Sequence, residues 1–214
     1  MKVAVLFSGG KDSTLAAFCC MYSGWDVVLV SMRSGKESMM FHHPNVQYCK
    51  MLAKAIGLEH IEVQTGNENE LEDLKNAIAK LKVDAVATGA IESEYQKQRI
   101  DGICEHLGVR SFSPIWRKNR EVLLGEVQEY FEAYVVAVAA DGLGEEMLAR
   151  KFDAAFSAEM KRKSPSASVV FEGGEGETFV ANAPFFKKRV EIKGWEKEWE
   201  GTSGVARIKN ARLV

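Results

Sequence analysis

Residues 8–14 of this chain, SGGKDST, combine side-chain types that could bind a phosphate group. Gly9 and Gly10 permit a tight backbone turn, because neither carries a Cβ atom. Lys11 follows directly and contributes a positive charge. Hydroxyl donors come from Ser8 and Ser13. This combination predicts a nucleotide-binding turn in preference to a plain turn with a solvated lysine.

The residues that follow predict that a helix begins at this turn. Asp12, Ser13 and Thr14 are all types that commonly cap the N-terminus of a helix. Whichever of them caps, the free N–H groups and the positive dipole end of the helix would point at the turn, and both favour an anion. The stretch matches neither G-x-x-x-x-G-K-[ST] nor G-x-G-x-x-G, so it predicts a phosphate loop of another kind.

The elements around this turn are expected to form a sheet that positions it. Strands are predicted from apolar runs at residues 2–7, 26–32, 60–64, 84–91, 109–116 and 132–140. Helices are predicted at residues 15–23, 44–56, 68–81, 92–107, 119–130 and 145–163. Continuous apolar strands that alternate with helices are typical of a parallel sheet covered on both faces. We therefore expect an α/β fold with a doubly wound, mostly parallel, Rossmann-like sheet.

The character of the sequence changes near residue 145, which predicts two units. Residues 1–144 alternate between strands and helices, and we expect them to form the nucleotide-binding domain. Residues 145–214 contain a charged helix, a polar loop and segments in which apolar and polar residues alternate. We expect this second unit to be a small α+β appendage that covers one edge of the first.

The composition is that of a globular protein. Of 214 residues, 46% are hydrophobic, and the formal net charge is −2. There is no apolar run of about 18 residues, and the chain starts with a predicted strand, so we expect no membrane span, no signal peptide and a cytoplasmic location. The acidic balance disfavours general nucleic-acid binding. The sequence does not determine the oligomeric state, and a homodimer is compatible with it.

The cysteines and histidines do not form a metal-binding pattern. Cys19, Cys20, Cys49 and Cys104 include no C-x-x-C pair, and we interpret them as buried apolar residues. No pair of histidines has zinc spacing with a cysteine, so no structural zinc is expected.

Loops that follow strands one, two and four are expected to meet at the carboxyl edge of the sheet, where open α/β sheets bind ligands. Met32, Thr88 and Gly89 end two of these strands and are predicted to border the nucleotide, with Met32 as an apolar wall for adenine. His42 and His43 lie in the loop after strand two and could contact a substrate. A surface loop with incidental histidines is equally compatible.

The helix after strand four begins near the same edge. Tyr95, Gln96 and Arg99 fall at helical spacing in its first turns and could hold an anionic group. A solvated charged face is the alternative, and it is the better interpretation for Lys97 and Gln98. We therefore predict that Tyr95, Gln96 and Arg99 contact the substrate.

Residues 172–179, EGGEGETF, are the most unusual stretch of the second unit. Rich in glycine and glutamate, this stretch makes a poor helix or strand by propensity. Its carboxylates could bind magnesium, orient an amine or accept protons, and an acidic surface turn is equally compatible. If the stretch is functional, Glu172, Glu175 and Glu177 are its candidate catalytic residues, together with Lys11 and Asp12 of the glycine turn, and Gly173, Gly174 and Thr178 are its candidate substrate contacts.

Several motifs resemble known families. SGGKDS resembles the signature of the PP-loop, or N-type, ATP pyrophosphatases, which cleave ATP between the α and β phosphates. Four segments taken together resemble the diphthine–ammonia ligase family. They are GGKDS near the start, MFHHPN at 40–45, TGAIESEYQKQR at 88–99 and EGGEGETFVANAPFF at 172–186. The resemblance covers nearly the whole chain. Gly176 stands where that family usually has an aromatic residue, and the segment from 150 to 170 is shorter than usual.

The resemblance implies an ATP-dependent carbon–nitrogen ligase that completes diphthamide on elongation factor 2. It implies that ATP lies over Ser8, Gly9, Gly10, Lys11, Asp12 and Ser13, with Mg²⁺ on Asp12. The diphthine carboxylate would displace pyrophosphate to form an acyl-adenylate. Ammonium would then supply the nitrogen and release AMP. Lys11 would offset the charge that develops on the phosphates.

Two other functions compete with this one. A PP-loop enzyme could instead modify tRNA by thiolation through Cys49 and Cys104, although both lie outside the motifs and the acidic balance disfavours tRNA. A non-catalytic nucleotide sensor is the third interpretation, and Lys11 and Asp12 within the loop argue against it.

Overall fold

A computed structural model of the chain describes residues 1–34, 44–66 and 69–214. In these ranges the strands are β1 (Lys2–Leu6), β2 (Asp26–Arg33), β3 (Glu59–Gln64), β4 (Ala85–Ala87), β5 (Arg110–Phe112), β6 (Glu132–Val138), β7 (Gly176–Asn182), β8 (Val190–Glu200) and β9 (Ser203–Leu213). The α-helices are α1 (Lys11–Tyr22), α2 (Cys49–Ile56), α3 (Glu70–Leu81), α4 (Glu94–Leu107), α5 (Arg120–Tyr130) and α6 (Ala154–Lys163). None of these described helices has both the length and the apolar composition needed to cross a bilayer.

The first sheet is parallel, with the strand order β3-β2-β1-β4-β5. β1 lies between β2 and β4, so its carboxyl end is at the point where the strand order reverses. Helices α1 and α2 pack on the face that contains Val3 and Val5, whereas α3 and α4 pack on the opposite face, with Ala4. These three residues have no exposed surface. The predicted doubly wound α/β fold is therefore confirmed.

The second sheet is antiparallel, with the strand order β7-β6-β9-β8. β8 and β9 form a long hairpin. The alternating segments near the end of the chain predicted strands here, and this is confirmed, but they did not predict the pairing. β6 pairs with β7 and β9, although the sequence analysis grouped its apolar run with the first unit. An apolar run does not identify its partner strands, so periodicity could not decide between the sheets. The boundary near residue 144 stays a prediction. The pairing of β6 with β7 and β9 favours a boundary before Glu132.

The prediction of one helix over residues 145–163 is wrong. This segment contains a short 3₁₀ turn at Glu145–Met147 and then helix α6, which begins only after Asp153. Between them, Ala149 and Phe152 donate backbone hydrogen bonds to β6. Tertiary hydrogen bonds to the second sheet therefore override the local helix propensity.

The two sheets share one apolar core. Phe179 and Ala181 of β7 belong to the same buried cluster as Val3 and Val5 of the central strand β1. This packing brings the start of β7 next to the carboxyl edge of the first sheet, where ligands are expected.

Candidate active site

The phosphate loop connects β1 to α1 at the carboxyl edge of the first sheet. Gly9 has a φ of +80°, a conformation that L side chains rarely adopt. The prediction of a side-chain cap from residues 12–14 is wrong, because the helix begins earlier, at Lys11, with Gly10 as its cap. Residues 12–14 thus lie inside the first turn. The first intrahelical hydrogen bond runs from the Thr14 N–H to the Gly10 carbonyl, so the amides before it have no carbonyl acceptor within α1. The Lys11 amide donates to Thr178, which leaves those of Asp12 and Ser13 as the candidates for an anion.

The two serines of the loop hold it in shape. The Ser13 hydroxyl donates to the Gly10 carbonyl at 3.1 Å and accepts from the Ser8 N–H at 3.2 Å. The Ser8 hydroxyl lies 3.2 Å from the Ser13 hydroxyl. These contacts tie the end of β1 to the first turn of α1.

A cavity of about 490 Å³ opens above this loop, between the two sheets. Its volume lies in the range of small-molecule and cofactor sites. The first unit contributes the predicted nucleotide contacts Ser8, Gly10, Lys11, Asp12, Ser13, Met32, Thr88 and Gly89 to the lining. The second unit contributes Glu172 and Gly174 from the loop before β7, and Glu177 and Thr178 from β7 itself. Residues from the two predicted clusters thus meet around one space.

Gly89 lets the segment after β4 approach the phosphate loop closely. A Cβ atom at this position would lie 2.6 Å from backbone atoms of Asp12 and Ser13, so one of the two segments would have to shift. We expect Gly89→Ala to weaken nucleotide binding by about tenfold or more and to lower the free energy of unfolding by about 1–3 kcal/mol. Nucleotide titration and chemical denaturation would measure the two effects.

Gly102→Ala is the matched control for this substitution. A Cβ atom on Gly102, within α4, would meet no atom within 4 Å, so nucleotide binding should not change. Equal nucleotide affinity in the Gly89 and Gly102 variants would contradict a requirement for the close approach.

Lys11 and Asp12 form an ion pair at the cavity. Lys11 Nζ lies 2.6 Å from Asp12 Oδ2, and the lysine side chain is only 3% exposed. The other oxygen, Asp12 Oδ1, is buried and has no hydrogen-bond partner among the residues that the structure describes. Burial raises the pKa of Asp12, although the charge of Lys11 opposes the shift. A buried oxygen without a partner costs free energy, so Oδ1 is suited to a ligand.

Glu172 places a second carboxylate on the opposite wall of the cavity. Burial and the charge of Asp12 raise the pKa of Glu172 to about 7, while the charge of Lys11 lowers it. The Glu172 carboxylate also accepts a hydrogen bond from the Glu92 N–H at 3.1 Å. A carboxyl group with a pKa near 7 can exchange a proton at physiological pH, so Glu172 has the properties of a general base.

The other two glutamates of this segment have different surroundings. The Glu175 carboxylate accepts from the backbone N–H groups of Ser168 at 2.7 Å and Gly173 at 2.8 Å, so both its oxygens hold the loop together. Glu177 lines the cavity from β7. The interpretation of the whole stretch as a poor strand is wrong from Gly176 onward, because pairing with β6 stabilises β7 despite its low propensity.

A neighbouring cavity of about 470 Å³ shares Glu172 with the first. Its other walls are Glu92, Ser93, Arg120, Ser166, Ala167, Ser168, Gly173 and Glu175. Arg120 donates to both carboxylate oxygens of Glu92. Sequence reasoning missed Arg120, because it is 28 residues from Glu92 and no local pattern connects them.

The predicted substrate contacts on α4 separate into two groups. Gln96 lines the first cavity, and its N–H donates to Ser93, the cap of α4. Tyr95 and Arg99 are not among the lining residues, and the Arg99 guanidinium lies 3.3 Å from the centre of the Tyr95 ring. His42 and His43 lie outside the described residues. Substrate contact by these residues stays a prediction.

The cysteines do not have the properties of nucleophiles. Cys20, Cys49 and Cys104 are buried, and none of the four cysteines is in a disulfide. Burial raises the pKa of Cys49 to about 12 and that of Cys104 to about 11. Thiols of this kind stay protonated at neutral pH, whereas the reactive form is the thiolate.

The first cavity fits a nucleoside triphosphate with magnesium. The glycine turn, the start of α1 and Lys11 supply anion contacts, and Asp12 Oδ1 offers an oxygen ligand. Mg²⁺ in nucleotide sites uses one or two carboxylates together with the phosphates. In the described ranges no group of three or more His, Cys, Asp or Glu residues could hold a metal ion. A metal ion here would therefore depend on the phosphates as well as on Asp12.

The strand order, the glycine loop after the central strand and the cavity together define an α/β nucleotide-binding enzyme of the PP-loop type. A solved structure described as a predicted subunit of tRNA methyltransferase, from Methanocaldococcus jannaschii, has a TM-score of 0.52 to this chain. The match covers 86% of this chain and 98% of the other, at 18% sequence identity. At that identity the likeness supports the fold alone.

The chain belongs to the diphthamide synthase family. Residues 1–111 match the family model of the diphthamide synthase N-terminal domain, and residues 119–214 match that of its C-terminal domain. The diphthine–ammonia ligases of Bos taurus and Homo sapiens are each 30% identical over 100% of this chain and 91% of their own length. The Schizosaccharomyces pombe protein of the same name is 31% identical over 98% of this chain but only 39% of its own length. The resemblance read from the motifs is thus confirmed, and the chain is a member of a family of carbon–nitrogen ligases.

Proposed function

We propose that this chain is an ATP-dependent amide ligase that converts diphthine on elongation factor 2 into diphthamide with ammonium, in the cytoplasm. The observation that carries the proposal is the cavity between the sheets, in which the phosphate loop and the Lys11–Asp12 pair share one space with Glu172. The names of the relatives, diphthine–ammonia ligase, supply the substrates.

The proposed reaction consists of two displacements. A carboxylate oxygen of diphthine attacks the α-phosphorus of ATP. The bond between the α-phosphorus and the oxygen that bridges to the β-phosphate breaks. Pyrophosphate leaves, and an acyl-adenylate is formed. Ammonia then attacks the acyl carbon, the carbon–oxygen bond breaks, and AMP leaves with its electron pair. The nitrogen loses one proton as the amide forms, and that proton requires a base. Free ammonium is the proposed nitrogen source, and it would lose a first proton to solvent to give the ammonia that attacks.

Different residues around the cavity would carry out different parts of this reaction. The loop amides and Lys11 would bind the phosphates and offset the negative charge that develops as pyrophosphate leaves. Asp12 would be the protein ligand of Mg²⁺, which neutralises phosphate charge when bound. Glu172 would accept the proton from nitrogen, because its raised pKa suits proton exchange near neutrality. Glu175 would keep the loop that carries Glu172 in shape.

Thiolation of tRNA is the competing function, and the cysteines argue against it. Cys104 is buried in α4 and does not line the first cavity, in which ATP is proposed to bind. We therefore expect Cys104→Ala to form AMP with the diphthine acceptor at the wild-type rate, as measured from initial rates. Cys104→Ser and a thermal melt of each variant control for folding. Loss of AMP formation in a folded Cys104 variant would return thiolation to consideration.

The proposal is tested by mixing the purified protein with ATP, Mg²⁺, ammonium and elongation factor 2 that carries diphthine. AMP and pyrophosphate are followed with time, and the modified peptide is weighed by mass spectrometry, since exchange of OH for NH₂ changes the mass only slightly. An amide product that requires every component is the expected result. ATP binding without AMP formation would contradict the ligase assignment and favour a nucleotide sensor or another acceptor, including tRNA.

A further inference from the structure

The phosphate loop is attached to the edge strand of the second sheet. In the described sheet β7 pairs with β6 along one edge, and the phosphate loop lies against its other edge. The Val180 N–H donates to the Gly9 carbonyl at 2.9 Å. The Lys11 N–H donates to Thr178 Oγ1 at 3.0 Å, across 167 residues of sequence. Two hydrogen bonds therefore join the loop to a strand of the other unit.

The Thr178 hydroxyl accepts a hydrogen bond from the first amide of α1, which has no acceptor within the helix. A side-chain cap normally bonds the second or third amide, so even a capping residue in place of Gly10 would leave the Lys11 amide to Thr178. Thr178 is only 8% exposed, which limits competition from water. Its carbonyl oxygen lies 3.2 Å from the place that a Cβ atom on Gly10 would occupy, so the two backbones are almost in contact.

We infer that Thr178 is a positioning residue for the nucleotide, because its hydroxyl fixes the Lys11 amide and with it the start of the phosphate loop. The inference rests on the proposed ATP-dependent function. It also differs from the sequence prediction, which assigned Thr178 to the acceptor substrate. Thr178 acts through Lys11, so its loss should weaken ATP binding more than it slows the reaction at saturating ATP.

Two substitutions at this position separate the hydroxyl from the rest of the side chain. Thr178→Val removes the hydroxyl and preserves the shape, whereas Thr178→Ser keeps it. We expect Thr178→Val to raise the Kd for ATP with Mg²⁺ by about 5- to 10-fold, with kcat at saturating ATP little changed, and Thr178→Ser to bind as wild type does. Calorimetry gives the Kd, and a melt without ATP verifies folding.

Two controls make the comparison specific to the nucleotide. Affinity for elongation factor 2 that carries diphthine should not change in either Thr178 variant. Thr202→Val removes a hydroxyl from the exposed turn between β8 and β9 and should leave ATP binding unchanged. If Thr178→Val does not fold, Thr178→Ala gives the same comparison.

The outcomes distinguish this inference from the proposed function. Equal ATP affinity in Thr178→Val and wild type would overturn the inference alone. A loss of affinity confined to the protein acceptor would also overturn it and return Thr178 to the acceptor site. Absence of ATP binding by the wild-type protein would instead overturn the proposed function, and the inference with it.

Discussion

Lys11→Met is expected to slow ATP-dependent pyrophosphate release by about 10²–10³-fold. Methionine keeps an unbranched side chain but removes the buried charge that is paired with Asp12. Charge that develops on the leaving pyrophosphate would then lack its electrostatic partner. The pKa values of Asp12 and Glu172 would also rise further, because the charge of Lys11 opposes both shifts. A coupled assay for pyrophosphate at saturating ATP and acceptor measures the rate.

Lys118→Met is the matched control for this prediction. Lys118 also pairs with a carboxylate, at 2.6 Å from Glu126, but it lines neither cavity. Its replacement should leave the rate unchanged. Similar rates for the Lys11 and Lys118 variants would rule out the electrostatic role of Lys11.

The second large effect is expected for Glu172→Gln, which should lower the rate of amide formation by about 10²–10⁴-fold. The wild-type rate should rise as the pH passes through about 7, because Glu172 must be ionised to accept a proton. The glutamine variant should lose this rise. Rates must be compared at a constant concentration of neutral ammonia, so that the titration of ammonium itself does not contribute.

A control for Glu172→Gln is Glu196→Gln on the exposed face of β8, which should retain both the rate and the pH profile. An unchanged pH profile in Glu172→Gln would show that another group accepts the proton. Glu177, which also lines the cavity, would then be the next residue to replace.

Glu172→Gln should also stabilise the fold at alkaline pH. The pKa of Glu172 is raised from 4.5 in the unfolded chain to about 7 in the folded one, so the folded state binds the proton more tightly. The resulting stability is fully present below pH 4.5 and is lost as the pH rises through about 7. Glutamine does not ionise, so the variant should exceed wild type by about 1 kcal/mol at pH 8. Urea denaturation without ATP, at acidic and alkaline pH, measures the difference, which should disappear at the acidic end.

The phosphate loop could be predicted from the sequence because its parts are contiguous. The apolar run of β1, the turn at Gly9 and Gly10 and the helix that begins at Lys11 follow one another within 22 residues. Local patterns also predicted that Thr88 and Gly89 end a strand at the same edge of the sheet, since parallel strands place their carboxyl ends together.

The contacts between the two units could not be predicted in this way. Nothing in EGGEGETF indicates that the Thr178 hydroxyl accepts a hydrogen bond from the start of α1. The errors over residues 145–163 and in the grouping of β6 have the same cause. In each case the deciding hydrogen bonds join segments that are distant in sequence, and propensity carries no information about such partners.

Because β7 contacts the phosphate loop, we expect that the two units do not function as independent modules. A fragment that ends before β6 would lack the partners of the Gly9 carbonyl and the Lys11 amide, and we expect it to bind nucleotide poorly even if its parallel sheet forms. A chimaera that exchanges the second unit between relatives would exchange part of the nucleotide site as well as the acceptor site. In evolution, recombination at the boundary between the units would therefore be constrained. Any second unit that is exchanged in this way must keep an edge like that of β7, which fits the phosphate loop of the first unit.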